Sequence, residues 1–427
     1  MDRFQGLLGL AAILGIAYAL STNRKAINYK TVGWGLALQL CLAIFVIQVP
    51  IGRDIFSWLG QLVNSLIEFA KEGAAFVFGS MIPPDPASIT VNGWEDWAHK
   101  MHAKNTGFIF AFQVLPAIIF VGSLAGIAFY TGLMQLVVSF VAKIMVKTMG
   151  TSGAESIYAV STVFVGQSEA PLFIRPYIEK MTRSELNSIM TGGMSTIAGS
   201  VLFAYVAMLG PDLAPHVITA SIMGAPAGLA LSKILCPEEG EPATRNGAEI
   251  AADDAAGSLI ESISKGANDG LHLALIVGAQ LIAFIALIAT VNGLLGWLGS
   301  FVNADHFSIQ TIFGWVLGPM AWLMGCPWAD ANTLGSLIGQ KIVLNEMVAY
   351  TDLLNHINAG TIDGKAKLLA TYALCGFANF SSVGINIGCI GGLAPSRQAE
   401  VAKLGFRALL GGAMASLMTA SLVGILS

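Results

Sequence analysis

Apolar runs of about 20 residues, the length of a membrane-spanning α-helix, are the feature that most restricts how this chain can fold. Such runs occur at residues 4–20, 32–51 and 409–426, among others. Of the 427 residues only 11% are charged, whereas a soluble domain carries about 25%. Too few charges remain to cover a soluble surface, so the sequence predicts an all-α polytopic membrane protein. The net charge of −4 gives no indication of a nucleic-acid partner.

The hydropathy pattern predicts about eight transmembrane helices. The first should have its N-terminus outside, because the basic residues Arg24, Lys25 and Lys30 follow it and basic residues favour the cytoplasmic side. The intervening segments are interpreted as an amphipathic interfacial helix over 54–79, an external loop over 81–105 and a cytoplasmic linker or surface helix over 237–268. The predicted spans are 4–20, 32–51, 108–133, 190–209, 216–235, 271–298, one containing 375–388, and 409–426.

Residues 149–183 do not fit a simple span, because basic residues flank both ends. Lys147 precedes the segment, and Lys180 and Arg183 close it. A spanning helix should have one basic end, so two basic ends indicate that both lie in the cytoplasm. The segment is therefore predicted to be a re-entrant hairpin with its tip at residues 166–171.

A second segment, residues 308–350, is interpreted as a hairpin that enters from the opposite face. It has an apolar arm, a break at 325–330 and a polar arm that carries Asn345 and Glu346, and its flanks are acidic. Each hairpin is followed by two apolar helices, which is the pattern of an inverted repeat in a secondary transporter. The chain has no Walker-type phosphate-binding motif, so an ATP-driven pump is not favoured, and a transporter rather than an enzyme is expected.

Polar residues cluster at the predicted breaks, at membrane depth. Broken backbone is tolerated there only where it lines a cavity or is buried in protein, and an intramembrane acid indicates function. Small polar residues also hold helices together without any ligand. That structural interpretation is favoured for Ser381, Thr191 and Ser195, and a functional one for Glu169 and Glu346.

Three motifs resemble those of the concentrative nucleoside transporter family in its bacterial form. They are "GQSEAP" at 166–171, "NEMVAY" at 345–350 and "GFANFSSVG" at 376–384, and the resemblance extends over nearly the whole chain. It implies a homotrimer in the lipid bilayer, in which a transport domain slides as an elevator against a scaffold. The domains expected are 1–107 (N-terminal helices, interfacial helix and loop), 108–148 (scaffold helix and amphipathic segment), 149–236 (first transport repeat), 237–270 (cytoplasmic linker), 271–300 (scaffold helix) and 301–427 (second transport repeat).

The same resemblance implies the residues that bind substrate. The expected sets are Gln167, Ser168 and Glu169 facing the base, Val201 and Phe377 as apolar contacts to the base, and Glu346, Asn379 and Ser382 at the ribose hydroxyls. The chemistry suits these roles, because a carboxylate accepts hydrogen bonds from hydroxyls and an amide both donates and accepts.

A cation site is implied by the resemblance between the first hairpin tip and a break in the fourth span. Its expected ligands are the hydroxyls of Thr162 and Thr196 and the backbone carbonyls of Val165 and Ile197. This oxygen set favours Na⁺ as the coupling ion. H⁺ stays open, because sodium-coupled members commonly have Asn at the Thr162 position. No other cofactor is expected.

The resulting expectation is a cation-coupled symporter that imports nucleosides across the bacterial inner membrane. The alternatives are an elevator-type transporter for another polar solute, such as a carboxylate, and a channel or structural membrane protein. An anion carrier should place Arg near the tips, whereas the deep charges here are Glu169 and Glu346. The pattern does not distinguish pyrimidine, purine and modified nucleosides.

Overall fold

The structure is a computed structural model that describes residues 2–78, 109–251, 257–301 and 308–427. Within these ranges all regular elements are helical, and the external loop predicted over 81–105 lies outside them. Short 3₁₀ helices occupy Arg24–Ala26, Arg175–Lys180 and Pro395–Arg397. The α-helices are α1 (Asp2–Ala19), α2 (Tyr29–Ile47), α3 (Pro50–Phe78), α4 (Phe110–Gln113), α5 (Leu115–Tyr130), α6 (Leu133–Met149), α7 (Gly153–Val165), α8 (Ala170–Phe173), α9 (Arg183–Ser195), α10 (Gly199–Leu209), α11 (Ala214–Leu235), α12 (Leu259–Ser300), α13 (Ile309–Leu323), α14 (Trp328–Val343), α15 (Glu346–Asn358), α16 (Gly364–Leu374), α17 (Phe380–Leu393) and α18 (Gln398–Leu426).

The polytopic prediction is confirmed by the length and composition of these helices. Among the described residues, six helices are long and apolar enough to cross a membrane, or seven if α13 and α14 form one bent span. The apolar helices at Phe4–Ala19 and Phe380–Leu393 are shorter, although the sequence predicted spans at both places. Helix α3 begins four residues before the predicted interfacial helix over 54–79 and covers all but the last residue of it.

Helix α12 begins earlier than the predicted span over 271–298. It begins at Leu259 and continues for 42 residues to Ser300, so the last part of the predicted linker (237–270) is helical. The physical reason is a cap: the side chain of Ser258 accepts a hydrogen bond from the backbone N–H of Glu261, which satisfies one of the free donors at a helix start. Charged residues in the first three turns lower the hydropathy there, so the hydropathy pattern predicts the start of the span only at residue 271.

The first hairpin consists of α7, a turn, the short helix α8 and the 3₁₀ helix that follows it. Ser152 and Glu155 form a reciprocal capping box that starts α7. The helix ends at Gly166, whose φ of 83° lies in a region that favours glycine. This break coincides with the predicted tip at 166–171.

The second hairpin differs from its prediction, because it contains two breaks. The first separates α13 from α14 with a bend of 118° and lies close to the predicted break at 325–330. The second lies at Leu344–Asn345, where the side chain of Asn345 accepts from the backbone N–H of Val348 and caps α15. Glu346 is therefore the first residue of a new helix and does not belong to an unbroken polar arm.

This second break reveals the repeat more clearly than hydropathy does. The first copy runs α7, break, short helices, then the broken helix α9–α10, then α11. The second runs α14, break, α15, then the broken helix α16–α17, then α18. The tip that corresponds to Gly166 is thus Leu344–Asn345 and not the α13–α14 bend. The C-terminal helices of the two copies, α11 and α18, pack against each other and against α9 in the core.

Among the helices outside the repeat, two pairs are described by their packing partners. Helices α1 and α2 pack on the repeat, against α18 and α11 respectively. Helix α12 packs along α5, where a Cβ added to Gly122 would lie 2.3 Å from the backbone oxygen of Gly266. Small residues permit this close approach of two apolar helices.

Candidate functional site

Four backbone breaks converge in the interior of the molecule. The backbone N–H of Phe377, in the α16–α17 break, donates to the carbonyl of Thr196 in the α9–α10 break at 3.2 Å. A Cβ on Gly166 would lie 2.7 Å from the Cβ of Ala198 and 3.8 Å from the Phe377 ring. The first hairpin tip therefore contacts both broken helices. Several helix ends meet there, and the backbone N–H and C=O groups at helix ends have no partner within their own helix.

The first hairpin tip is joined to α17 by side-chain amides and a hydroxyl. Gln167 Nε2 donates to Ser382 Oγ at 2.7 Å, and Asn386 Nδ2 donates to Gln167 Oε1 at 2.8 Å. Asn386 Nδ2 also donates to the backbone oxygen of Ser382 at 2.9 Å. All three side chains are buried, so the orientation of the Gln167 amide is determined by protein partners on both of its ends.

The second hairpin tip is joined to α10 and α17 through the carboxylate of Glu346. Tyr205 donates its hydroxyl to Oε1 at 2.8 Å, and Asn379 Nδ2 donates to Oε2 at 3.0 Å. The ring of Tyr205 packs against Tyr350 with centroids 4.6 Å apart. Glu346 is only 6% exposed, and a buried carboxylate requires such hydrogen bonds to offset its lost hydration.

Asn379 connects the two tips. Its Oδ1 accepts from the backbone N–H of Ser382 at 2.9 Å and from the hydroxyl of Ser381 at 2.7 Å, which caps α17. Its Nδ2 binds Glu346, as described above. A continuous hydrogen-bonded path thus runs from Gln167 through Ser382 and Asn379 to Glu346. We call the residues along it, together with Tyr205 and Asn386, the tip network.

The predicted substrate residues are divided by the structure. Gln167, Glu346, Asn379 and Ser382 come together in the tip network, while Ser168 and Glu169 are exposed. Glu169 lines a separate cavity of about 720 Å³, whose wall includes Lys265 and Asp269 of α12. Of the two predicted apolar contacts, Val201 is buried on α10 and Phe377 is partly exposed beside Gly166.

The four predicted cation ligands lie where the first hairpin meets the α9–α10 break, and all four are buried. Thr162 donates its hydroxyl proton to Ala159 O at 2.8 Å, and Thr196 donates to Gly192 O at 3.2 Å. Each hydroxyl keeps lone pairs that can face a cation. The described residues contain no group of three or more His, Cys, Asp or Glu that could hold a metal ion, so any cation bound here would rely on hydroxyl and carbonyl oxygens.

Two members of the tip network were not predicted as site residues. Asn386 is four residues after Ser382, and Tyr205 is four residues after Val201. Residues at this spacing share one face of a helix, so the spacing alone was a usable signal. No polar motif near Tyr205 in the sequence marks it as a site residue. Its hydrogen-bond partner, Glu346, is 141 residues away.

Comparison with known proteins agrees with this architecture over the whole chain. Family models described as the Na⁺-dependent nucleoside transporter N-terminus and C-terminus match residues 8–81 and 216–424, and a "nucleoside recognition" gate model matches 111–212. The uncharacterized transporter YutK of Bacillus subtilis is 40% identical, with all of both chains covered. The sodium/nucleoside cotransporter 1 of Rattus norvegicus is 40% identical over the whole of this chain and 64% of that protein.

A solved structure shows the same fold. CNTnw in an inward-facing substrate-bound state matches with a TM-score of 0.89 and 38% identity, and the match covers 100% of this chain and 98% of CNTnw. This extent of similarity, in sequence and in structure, shows more than a shared helical architecture. The chain belongs to the concentrative nucleoside transporter family, whose members are membrane transporters and not enzymes.

Proposed function

We propose that this protein imports nucleosides across the bacterial plasma membrane, coupled to the inward movement of Na⁺. The tip network carries the proposal. It places a carboxylate, three amides and two hydroxyls in one buried network that joins two hairpin tips and two broken helices. A nucleoside presents the complementary groups: ribose hydroxyls, which can donate to Glu346, and a base whose edge an amide can bind.

The apolar residues at the break support a ring-shaped substrate. Phe377 is partly exposed beside Gly166 and Val201 is buried one helical turn from Tyr205. An aromatic face beside hydrogen-bonding groups suits a nucleobase, since bases stack on aromatic rings. Gln167 would then contact the base, and Asn379 and Ser382 the ribose together with Glu346.

Coupling follows from the short distance along the chain between the proposed cation ligands and the substrate residues. Thr162 and Val165 lie in the last turn of α7, and Gln167 follows directly at the tip. On the other side, Ile197 lies four residues before Val201. The backbone oxygen of Ile197 accepts a hydrogen bond from Ser221 Oγ at 3.1 Å. A cation that bridges α7 to the break would fix the tip in place and lower the cost of ordering Gln167 for substrate.

The movement that we propose is an elevator-type displacement of the repeat against α5 and α12, within a homotrimer embedded in lipid. The cavity of about 720 Å³ lies between the first hairpin and these two helices. Glu169 lines this cavity, and we propose that Glu169, together with the exposed Ser168 that precedes it in the chain, contacts substrate on its way to the tip network. Because the cavity separates the first hairpin from α5 and α12, it leaves room for the repeat to move along these two helices.

A carboxylate substrate is less well supported. The charged member of the tip network is Glu346, a buried acid that would repel an anion. Arg175, the arginine next to the first hairpin tip in sequence, is exposed beyond α8. Neutral polyols, such as nucleosides, fit this charge distribution.

The test is uptake of radiolabelled uridine into proteoliposomes, with inward Na⁺ and H⁺ gradients imposed separately. We expect concentrative uptake with the Na⁺ gradient at equal pH on both sides. Uptake in Na⁺-free buffer that follows an inward pH gradient and is blocked by an uncoupler would assign H⁺ as the coupling ion. Failure with both ions, for purine and pyrimidine nucleosides alike, would refute the proposed function.

A further inference from the structure

A lysine is buried in the centre of the second repeat, at a place where the proposed transport mechanism gives it no role. Lys341 of α14 is 1% exposed. Its Nζ donates to the backbone oxygen of Ala373 at 2.9 Å and to Ser416 Oγ at 2.5 Å. Burying an ammonium is costly unless its surroundings supply acceptors, so a lysine in this position is expected to have a specific role.

The repeat gives Lys341 a counterpart. Lys341 lies three residues before Leu344, which closes α14, and Thr162 lies four residues before Gly166, which closes α7, so both residues belong to the last turn of their arms. Lys341 connects α14 to the end of α16 and to α18. In the first repeat the corresponding elements are α7, the end of α9 and α11, and the proposed cation site lies where the first two meet.

Both positions suit a positive charge for the same physical reason. Ala373 is the second-last residue of α16, and Thr196 directly follows the last residue of α9. The C-terminal end of a helix carries a partial negative charge and unpaired carbonyls, which favour a cation. In the first repeat hydroxyls and carbonyls surround that end, whereas in the second an ammonium reaches it.

We propose that the Lys341 ammonium is a built-in cation that occupies the second repeat's counterpart of the proposed cation site. It connects the second hairpin to α16 and α18 at all times, and so keeps Asn345 and Glu346 in position whether or not a free ion is bound. The first hairpin, which has Thr162 in the corresponding turn, needs a free cation for the same purpose. This inference rests on the proposed cation-coupled function and refines it: one half of the substrate site is permanently assembled, and the other half assembles with the ion.

The consequence is that Na⁺ controls the Gln167 side of the site while Lys341 maintains the Glu346 side. Removing the tethered charge should loosen the second tip. Replacing it with the first repeat's hydroxyl should create a place for a second free cation. Both effects can be measured on purified protein without transport.

The experiment compares Lys341→Met, which keeps the length and removes the charge, with Lys341→Thr, which places a hydroxyl in the turn that corresponds to the turn of Thr162. Uridine binding is measured by calorimetry over a range of Na⁺ concentrations, together with thermal unfolding at each concentration. Lys341→Met should weaken uridine binding about tenfold or more, since it removes hydrogen bonds from a charged group. Lys341→Thr should show a steeper Na⁺ dependence of binding and a larger Na⁺-dependent rise in Tm than the wild type.

Lys233→Met is the matched control, because Lys233 is also buried but is paired with Glu155 and Glu238 at the other end of the first repeat. It should alter the Tm and leave the steepness of the Na⁺ dependence unchanged. If Lys341→Met and Lys341→Thr both retain wild-type uridine affinity and wild-type Na⁺ dependence, the built-in cation is refuted.

If Lys341→Met does not fold, Lys341→Ala purified with propylammonium decides the matter. Recovery of folded, uridine-binding protein only in the presence of the amine supports the inference, and failure with and without the amine contradicts it. Wild-type protein that does not bind uridine would refute the proposed function separately. The Na⁺-dependent Tm of the Lys341 variants would still test the inference in that case.

Discussion

Single side chains in the tip network hydrogen-bond to groups on several helices, and Glu346 is the clearest example. Its two carboxylate oxygens accept from different elements, Tyr205 on α10 and Asn379 at the start of α17. In the substrate-bound protein, ribose hydroxyls would compete for the same oxygens. Under the proposed function the residue combines a structural role with a binding role, so a substitution affects both.

Glu346→Gln should weaken nucleoside binding strongly while the protein still folds. An amide keeps the shape but loses the charge-assisted hydrogen bonds, which contribute about 1.5–3 kcal/mol, equivalent to roughly a tenfold or greater loss of affinity. The measurement is uridine binding by calorimetry. Glu249→Gln, at an exposed acid beside the cavity, serves as the control. Unchanged affinity in Glu346→Gln would remove this residue from the site.

Asn386 should act on the base through Gln167. Its amide donates to Gln167 Oε1, so Asn386→Ala frees the Gln167 amide to rotate. We expect Gln167→Ala and Asn386→Ala to alter the ratio of uridine to cytidine affinity in the same direction, with less effect on the ratio of uridine to 2′-deoxyuridine. Competition binding measures both ratios. An equal loss for every substrate in both variants would mean that the tip is a gate and not a base reader.

At the scale of helices, the sequence predicted breaks better than it predicted which break is a hairpin tip. The first tip was found because basic residues flank it and because Gly166 and Pro171 interrupt the apolar run. In the second repeat the more conspicuous Gly325–Pro327 interruption was taken for the tip. The actual counterpart, Leu344–Asn345, has no glycine or proline, since an Asn side chain caps the new helix. Caps depend on side-chain geometry that hydropathy does not register.

The candidate site was predictable to the extent that its motifs are local. Gln167, Asn379 and Ser382 were identified within short polar stretches, and the structure brings them together. The family resemblance groups Glu169 with Gln167 at the same tip, yet the side chain of Glu169 lines the cavity beside α12. The link from Tyr205 to Glu346 could not be predicted from one sequence, because nothing local relates α10 to α15.

Gly166, at the tip of the first hairpin, should tolerate substitution poorly. It has φ 83° and ψ 179°, and Gly210 has nearly the same conformation, with φ 87° and ψ 170°. An Ala at either position is strained by roughly 1–3 kcal/mol, but only at Gly166 would the Cβ meet a neighbour, Ala198, at 2.7 Å. Gly166→Ala should therefore abolish Na⁺-dependent uridine binding, whereas Gly210→Ala should only lower the Tm. Similar binding in the two variants would contradict a tip that must contact the α9–α10 break.

At the scale of the whole molecule, the cavity between the first hairpin and α12 should change size during transport. Leu172 of α8 and Leu273 of α12 line it from opposite sides. In a background without the five native cysteines, Leu172→Cys with Leu273→Cys should be joined by a short bis-methanethiosulfonate cross-linker, which forms a reducible disulfide with each thiol, and the link should stop uptake. Reduction should restore it. Full uptake by the cross-linked protein would exclude movement of the hairpin against α12.

The accumulation ratio at steady state tests how many free cations accompany each nucleoside. One monovalent ion moving down a potential of about 100 mV gains ~2.3 kcal/mol, and a roughly tenfold Na⁺ gradient adds ~1.4 kcal/mol. One ion therefore supports an inside-to-outside uridine ratio of a few hundredfold, and two ions support the square of that ratio. If Lys341 supplies the second repeat's cation permanently, the wild type should reach the one-ion limit in proteoliposomes held at that potential by a K⁺ diffusion gradient. Thr196→Val, which removes a proposed ligand hydroxyl, should lower the ratio to about one, because uptake without a coupled ion only equilibrates uridine. A wild-type ratio far above the one-ion limit would show that a second free cation moves and that Lys341 does not replace it.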